Sequence, residues 1–212
     1  REHAMGAIIN GMALCGFRPY ASTFLAFSDY LRPSIRMACM MNLPTTYIFT
    51  HDSISVGEDG PSHQPVEQAL SLRSIPNMDV FRPCDANEVI GAYKCIFKNK
   101  QPSSILLSRN KLPILESTKA SLVENGGYIV FDSIEKPKAI LLSSGEEVHI
   151  CIEVAKRLRT KGIDIRVVSV PNIERLLNTT DEYYDEVLPV EVKKIAVEAT
   201  SSYLWQQIIF KR

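Results

Sequence analysis

Short apolar segments alternate with amphipathic segments along this chain, and this alternation is the feature that most constrains its fold. Apolar runs at 104–108 and 165–170 are typical of buried strands, whereas 146–161 has helical periodicity and ends before Gly162. Strands separated by helices form parallel sheets with right-handed crossovers. The sequence therefore predicts an α/β fold with two consecutive three-layer α/β/α domains and mostly parallel sheets.

The boundary between the two domains is predicted where the periodicity lapses. From residue 110 to residue 125 the chain carries Pro113 and several charges without a helical or strand pattern, and Gly126 and Gly127 end this stretch. We therefore expect a first domain at 1–110, a linker at 111–126 and a second domain at 127–212. A chain of 212 residues is long enough for two ordinary domains.

Composition excludes some partners. The 24 acidic and 24 basic residues balance, so nothing indicates a surface for nucleic acid or another polyanion. Five scattered cysteines, an odd number, suit buried thiols in a reducing compartment such as the cytoplasm better than a disulfide framework. No apolar stretch reaches the ~20 residues of a membrane-spanning helix, and we expect no membrane partner.

The loop from 50 to 68 follows an apolar segment and is too polar to belong to a core. It contains His51 and His63, half of the four histidines, with Asp59 between them. A strand-to-helix loop at the carboxyl end of an α/β sheet is where such folds bind ligands. These groups suit acid/base catalysis or hydrogen bonds to a hydroxylated or phosphorylated substrate. A solvated turn whose His and Asp cap helices explains the spacing equally well.

A metal site is a second alternative for this loop. The spacing of His51, Asp59 and His63 does not match a common structural zinc site, and no cysteine pair lies nearby. We therefore predict that the residues of this chain provide no metal ligands.

Residues 4 to 15 are almost entirely small or apolar, which predicts a helix buried on all sides. Gly6 and Gly11 lower its helix propensity, so we expect another helix or subunit to approach its backbone closely. Glu2 lies just before this segment. A carboxylate there is favoured by the helix N-terminus, and such a cap requires no catalytic role.

Phe24, Phe27 and Tyr30 follow at intervals of three residues. On a helix they would share one face, and such an aromatic stripe is more often core packing than a wall for a flat heteroaromatic ring. Arg109 follows the predicted strand at 104–108, a position that suits a phosphate or carboxylate. A surface ion pair explains Arg109 as simply.

Five segments, read together, resemble transketolase. They are Arg1-Glu2-His3-Ala4-Met5-Gly6, Thr50-His51-Asp52-Ser53, Gly57-Glu58-Asp59-Gly60-Pro61-Ser62-His63-Gln64-Pro65-Val66-Glu67-Gln68, Arg82-Pro83-Cys84-Asp85 and Leu107-Ser108-Arg109. The similarity is collinear over nearly the whole chain, and the third segment is the most specific. Since the sequence begins without Met and stops in a helical pattern, we expect it to be an internal piece of a longer polypeptide.

The resemblance implies most of the family's pyrimidine-binding domain, without its first strand, and part of its carboxy-terminal domain. It implies a transferase of the pentose phosphate pathway that uses thiamine diphosphate to move a two-carbon ketol unit between a ketose phosphate and an aldose phosphate. A cytoplasmic homodimer is also implied. The ligands of the accompanying Mg²⁺ or Ca²⁺ are expected outside this sequence, and the piece alone is expected to be inactive.

The resemblance also assigns cofactor contacts. Glu2 matches the catalytic glutamate that hydrogen-bonds the aminopyrimidine and favours the imino tautomer, which takes the thiazolium C2 proton. In an apolar setting we expect its pKa to be raised. Phe24, Phe27 and Tyr30 match the aromatic pocket around that ring. His63 matches a histidine that interacts with the cofactor amine and the substrate oxygens and serves proton transfer.

Three further residues match groups that bind the sugar phosphate. His51 and Arg109 match residues that hold the phosphate, and Asp59 matches an aspartate that recognises the hydroxyl next to the carbonyl. Dihydroxyacetone synthase and deoxyxylulose-phosphate synthase share parts of these motifs and stay as alternatives. A non-catalytic dimerisation module is an alternative of a different class.

Overall fold

The computed structural model describes residues 1–211, and Arg212, the last residue of the predicted second domain, lies outside the described residues. The chain forms two compact units. Unit 1 comprises Arg1–Phe81, Ala92–Lys111 and Ala199–Ser201, and unit 2 comprises Arg82–Gly91, Leu112–Glu198 and the residues from Ser202 onward. The predicted boundaries at 110 and 127 stay a prediction.

The elements of unit 1 are α1 (Glu2–Leu14), β1 (Tyr20–Phe24), α2 (Ser28–Met41), β2 (Thr46–Thr50), α3 (Gln68–Arg73), β3 (Asp79–Phe81), α4 (Ala86–Lys98, in unit 1 from Ala92) and β4 (Ser103–Leu107). The four strands form a parallel sheet in the order β1-β2-β4-β3. The central strands β2 and β4 are buried on both faces, as parallel sheets covered by helices are.

The prediction of a first helix buried on all sides is wrong. Helix α1 buries one face through Gly6, Ile9, Asn10 and Ala13, while the opposite side leaves a set of large apolar side chains exposed. The expected close approach holds for Gly6. A Cβ there would lie 2.7 Å from the Cβ of Ser34 on α2. At Gly11 such a Cβ would meet nothing within 4 Å among residues 1–211, apart from the adjacent residues and the backbone of α1 itself, so space does not require glycine there.

The predicted aromatic helical stripe is also wrong. Phe24 is the last residue of β1, Phe27 lies in a 3₁₀ helix at Leu25–Phe27, and only Tyr30 belongs to α2. Phe24 is held in extended backbone by its pairing with β2, so the helix begins only after it. Helix α2 then runs through Pro33 without interruption. Helix α3 begins at Gln68, at the end of the polar loop.

The elements of unit 2 are β5 (Tyr128–Phe131), β6 (Ile140–Ser143), α5 (Glu147–Arg159), β7 (Arg166–Ser169), α6 (Ile173–Leu177), α7 (Asp181–Val187), β8 (Lys194–Val197) and α8 (Trp205–Ile209). The four strands form a second sheet in the order β5-β7-β6-β8. Strands β6, β7 and β8 are parallel, and the edge strand β5 runs antiparallel to β7 with a register shift between Ile129 and Phe131.

Each unit has its own apolar core. In unit 1 the side chains of Leu25, Ile35 and Tyr47 are fully buried, and in unit 2 Val168 and Trp205 occupy the equivalent interior. Both sheets thus confirm the predicted α/β class with mostly parallel strands. Within residues 1–211 no helix is both long enough and apolar enough to cross a membrane.

Candidate active site

The carboxyl ends of β1 and β2 bring two predicted site residues together. Phe24 ends β1 and pairs in register with Thr50, the last residue of β2, and His51 follows directly. The φ of His51 is 59°, in the left-handed region that costs most residues roughly 1–2 kcal/mol. The imidazole stacks on the Phe24 ring with the centroids 3.7 Å apart. His51 Nδ1 also lies 3.0 Å from Thr50 Oγ1.

His63 completes an aromatic cluster at this edge of the sheet. Its ring meets Phe27 edge-on at a centroid distance of 5.3 Å and Phe24 at 6.2 Å. Tyr30 contacts Phe27 at 6.2 Å. We call these five residues, Phe24, Phe27, Tyr30, His51 and His63, the aromatic cluster. Apart from the exposed Tyr30, its members are half-buried, so the cluster stays accessible to a ligand.

The loop that carries His63 is held by local polar contacts. It contains a 3₁₀ helix at Ile54–Asp59, and the Ser53 side chain caps that helix by accepting a hydrogen bond from Ser55 N. Gln68 anchors the other end of the loop. Its Nε2 donates to Asp29 Oδ2 on α2 at 3.0 Å, and its Oε1 accepts from Val66 N at 2.9 Å. These contacts fix the loop beside α2, the helix that carries Tyr30.

Glu2 lies in the first turn of α1, and its side chain is 13% exposed. Arg1 Nε donates to Glu2 Oε1 at 3.3 Å. The expectation of a raised pKa is wrong. The pKa of Glu2 is lowered, first because the backbone amide of Glu2 donates to its own carboxylate and then because Arg1 lies beside it, and these effects outweigh its partial burial.

Asp59 and Arg109 are exposed. Asp59 ends the 3₁₀ helix in the loop, and Arg109 follows β4 after one intervening residue. No ring contact, hydrogen bond or ion pair within residues 1–211 joins Glu2, Asp59 or Arg109 to the aromatic cluster. The structure therefore brings five of the eight predicted site residues into contact, and the other three make no such contact with them among residues 1–211.

Unit 2 contains a buried charged network at the carboxyl ends of β6 and β8. Arg82 Nη1 donates to Glu147 Oε2 at 2.5 Å and lies 3.4 Å from Glu198 Oε1. Ser144 Oγ also donates to Glu198, and Trp205 Nε1 donates to Glu198 Oε2 at 2.7 Å. Side chains of unit 2 itself therefore fill the space at the carboxyl ends of β6 and β8.

A second buried carboxyl in unit 2 is equally enclosed. Glu88 has no exposed surface, and three donors reach it: Tyr128 Oη at 2.8 Å, Ser169 Oγ at 2.6 Å and Cys84 N at 2.8 Å. Burial raises the pKa of Glu88, although these three hydrogen bonds oppose the shift. Among residues 1–211, no three His, Cys, Asp or Glu side chains form a group able to hold a metal ion.

Two sequence families match the chain in succession. The family described as "Transketolase, pyrimidine binding domain" matches residues 1–114, and "Transketolase-like TK C-terminal domain" matches residues 126–212. The chain belongs to the transketolase family. The resemblance seen in the five sequence segments is thereby confirmed.

Transketolase relatives align along almost the whole chain. The Bacillus subtilis transketolase is 49% identical over 97% of this chain, and that of Staphylococcus epidermidis is 46% identical over 99%. The solved transketolase from Leishmania mexicana superposes with a TM-score of 0.95 at 37% identity and covers 99% of this chain. The chain spans 32% of the length of the two sequence relatives and 31% of that structure.

Sequence reasoning missed two features of this transketolase chain. No sequence signal predicts the contact between Phe24 and His51, because this contact depends on the register of β1 and β2. The buried carboxyls Glu88 and Glu198 were also missed. Glu88 lies in the amphipathic helix α4 and Glu198 directly follows β8. Acidic side chains are ordinarily exposed, so only the fold reveals the burial of these two.

Proposed function

We propose that this chain forms the pyrimidine-binding and sugar-binding part of an enzyme that transfers a two-carbon ketol unit from a ketose phosphate to an aldose phosphate. The observation that carries the proposal is the accessible aromatic cluster with two histidines at the carboxyl edge of the unit 1 sheet. Ligands bind at that edge in α/β folds. Membership of the transketolase family supplies the reaction class.

The residues of unit 1 fit thiamine diphosphate, the cofactor of this family. Phe24, Phe27 and Tyr30 would hold the flat aminopyrimidine with their rings, and Glu2 would accept a hydrogen bond at its ring nitrogen. When bound, the cofactor supplies the nucleophilic carbon that makes and breaks the carbon–carbon bond. A lowered pKa keeps Glu2 ionised and therefore able to accept a hydrogen bond from the pyrimidine.

We assign the sugar phosphate to the remaining site residues. His51 and Arg109 hold the phosphate, since a cationic group next to a phosphate makes a strong charge-assisted hydrogen bond. Asp59 accepts a hydrogen bond from the hydroxyl beside the substrate carbonyl. His63 moves a proton at the substrate oxygen from an imidazole already ordered against Phe27. Asp59→Ala should therefore impair substrates of the natural configuration more than deoxy analogues, which never made that bond.

We place the ligands of the Mg²⁺ or Ca²⁺ that accompanies the diphosphate outside these 212 residues. A cytoplasmic location is supported by five free cysteines, four of them buried, which suit a reducing compartment.

A homodimer is supported by exposed apolar side chains on α1 and the turn after it. Ile8, Leu14 and Phe17 are between 62% and 65% exposed. A large exposed apolar patch on a globular protein marks an interaction surface. Sedimentation should show self-association that weakens when Leu14 is replaced by Glu. A clean monomer at high concentration would contradict the proposed dimer.

The experiment that tests the function is an assay of the full-length enzyme with a ketose-phosphate donor and an aldose-phosphate acceptor. Transfer of the ketol unit is the expected result. Activity only with formaldehyde as acceptor would indicate dihydroxyacetone synthase, and condensation with pyruvate would indicate deoxyxylulose-phosphate synthase. An enzyme that dimerises but has none of these activities would support the non-catalytic dimerisation module.

A further inference from the structure

The contact between Phe24 and His51 differs from the others in the aromatic cluster. The two centroids are 3.7 Å apart and the planes are inclined by 21°, so the rings are stacked face to face. Aromatic pairs are ordinarily ~4.5–7 Å apart, and the remaining pairs of the cluster fall within that range. The covered face of Phe24 has no room for a second flat ring.

The backbone explains how the two rings meet. Side chains alternate between the faces of a sheet, so an extended residue after Thr50 would point away from the face that Thr50 occupies. His51 instead has a φ of 59°, which ends the alternation. Because Thr50 pairs in register with Phe24, the imidazole turns back over the Phe24 ring.

We infer that Phe24 is a positioning residue for His51: its ring supports one face of the imidazole and orients the ring nitrogens toward the substrate phosphate. This inference rests on the proposed function, in which His51 binds that phosphate. Phe24 acts through His51 and does not itself touch the phosphate.

Proton NMR of the 212-residue chain tests the stacking without any substrate. The four imidazole signals are assigned by replacing each histidine with Gln in turn. A ring stacked on Phe24 should give His51 signals displaced upfield by the ring current, and Phe24→Leu should remove that displacement. Phe27→Leu is the matched control and should move the His63 signals more than those of His51, because Phe27 contacts His63.

Kinetics of the full-length enzyme test the positioning. Phe24→Leu should raise KM for phosphorylated donors by about two- to tenfold, the range expected for loss of one aromatic contact, with little change for unphosphorylated analogues. Phe24→Tyr retains a ring and should restore the KM. If Phe24→Leu does not fold, Phe24→Met serves as the variant without a ring.

The two experiments fail independently. His51 signals without an upfield displacement in the unsubstituted chain would overturn the inference, whatever reaction the enzyme performs. Equal effects of Phe24→Leu on phosphorylated and unphosphorylated donors would also overturn it, because a structural role does not discriminate between them. An enzyme without ketol transfer would instead overturn the proposed function, while the NMR comparison would still decide the stacking.

Discussion

Units 1 and 2 both gather polar side chains at the carboxyl ends of parallel strands, but only unit 1 leaves them accessible. In unit 1, His51 and His63 are half-buried beside aromatic rings. In unit 2, the corresponding edge is closed by Arg82, whose side chain is 1% exposed and contacts Glu147 and Glu198. Ligands bind at this edge of α/β sheets. We therefore expect this sheet edge to serve ligand binding in unit 1 and stability in unit 2.

The largest expected effect is on the closed edge of unit 2. Arg82→Ala leaves Glu147 and Glu198 without their buried cation, and breaking a buried ion pair costs about 3–5 kcal/mol. Urea unfolding followed by the fluorescence of Trp205, the single tryptophan, measures this loss. Lys136→Ala is the control, because its pair with Glu191 is 68% and 78% exposed and should contribute less than ~1 kcal/mol. Equal losses for both variants would contradict a stabilising role for the Arg82 network.

The next effect concerns substrate binding by unit 1. Arg109→Ala should raise KM for phosphorylated sugars by about tenfold or more, the consequence of losing a charged hydrogen bond of ~1.5–3 kcal/mol. Unphosphorylated analogues should be nearly unaffected. Steady-state kinetics of the full-length enzyme with both kinds of donor make the comparison. If KM rises equally for phosphorylated and unphosphorylated donors, Arg109 is a structural residue and its assignment to the phosphate is wrong.

A third prediction tests the packing of α1 against α2 in unit 1. Gly6→Ala should destabilise the chain by about 1–3 kcal/mol, because the new Cβ would lie 2.7 Å from Ser34 Cβ and 2.8 Å from Leu31 Cδ2. Gly11→Ala is the matched control on the same helix, because among residues 1–211 its Cβ would meet nothing within 4 Å apart from the adjacent residues and the backbone of α1 itself. Hydrogen exchange of the α1 amides reports each change. Destabilisation by Gly11→Ala alone would show that the packing of α1 on α2 has been misjudged.

The smallest effect is a dependence of unit 2 stability on pH. The pKa of Glu88 is raised above its usual 4.5 in the folded state. Its contribution to the free energy of unfolding is therefore complete below about pH 4.5 and is lost as the pH rises toward the folded-state pKa. The loss cannot exceed about 1.4 kcal/mol per pH unit for one proton. Unfolding of the unsubstituted chain and of Glu88→Gln between pH 4 and 9 isolates this group. A constant difference between the two proteins would contradict the raised pKa.

The contrast also shows what the sequence could predict. The alternation of apolar and amphipathic segments was sufficient for the α/β class, because it follows from local periodicity. The histidine loop was found because its composition is unusual. The stacking on Phe24 and the burial of Glu88 were not predicted, since both depend on residues distant in the chain. The pKa of Glu2 was predicted in the wrong direction because its hydrogen bond with its own backbone was not foreseen.

Paired measurements of kinetics and unfolding on His63→Ala and Glu88→Gln in the full-length enzyme test most directly whether catalysis belongs to unit 1 and stability to unit 2. His63→Ala should lower kcat by about 10²–10⁴-fold, the range for loss of a proton-transfer group, and leave the free energy of unfolding nearly unchanged. Glu88→Gln should alter the free energy of unfolding with kcat unchanged. A folded Glu88→Gln enzyme whose kcat falls as far as that of His63→Ala would contradict the claim.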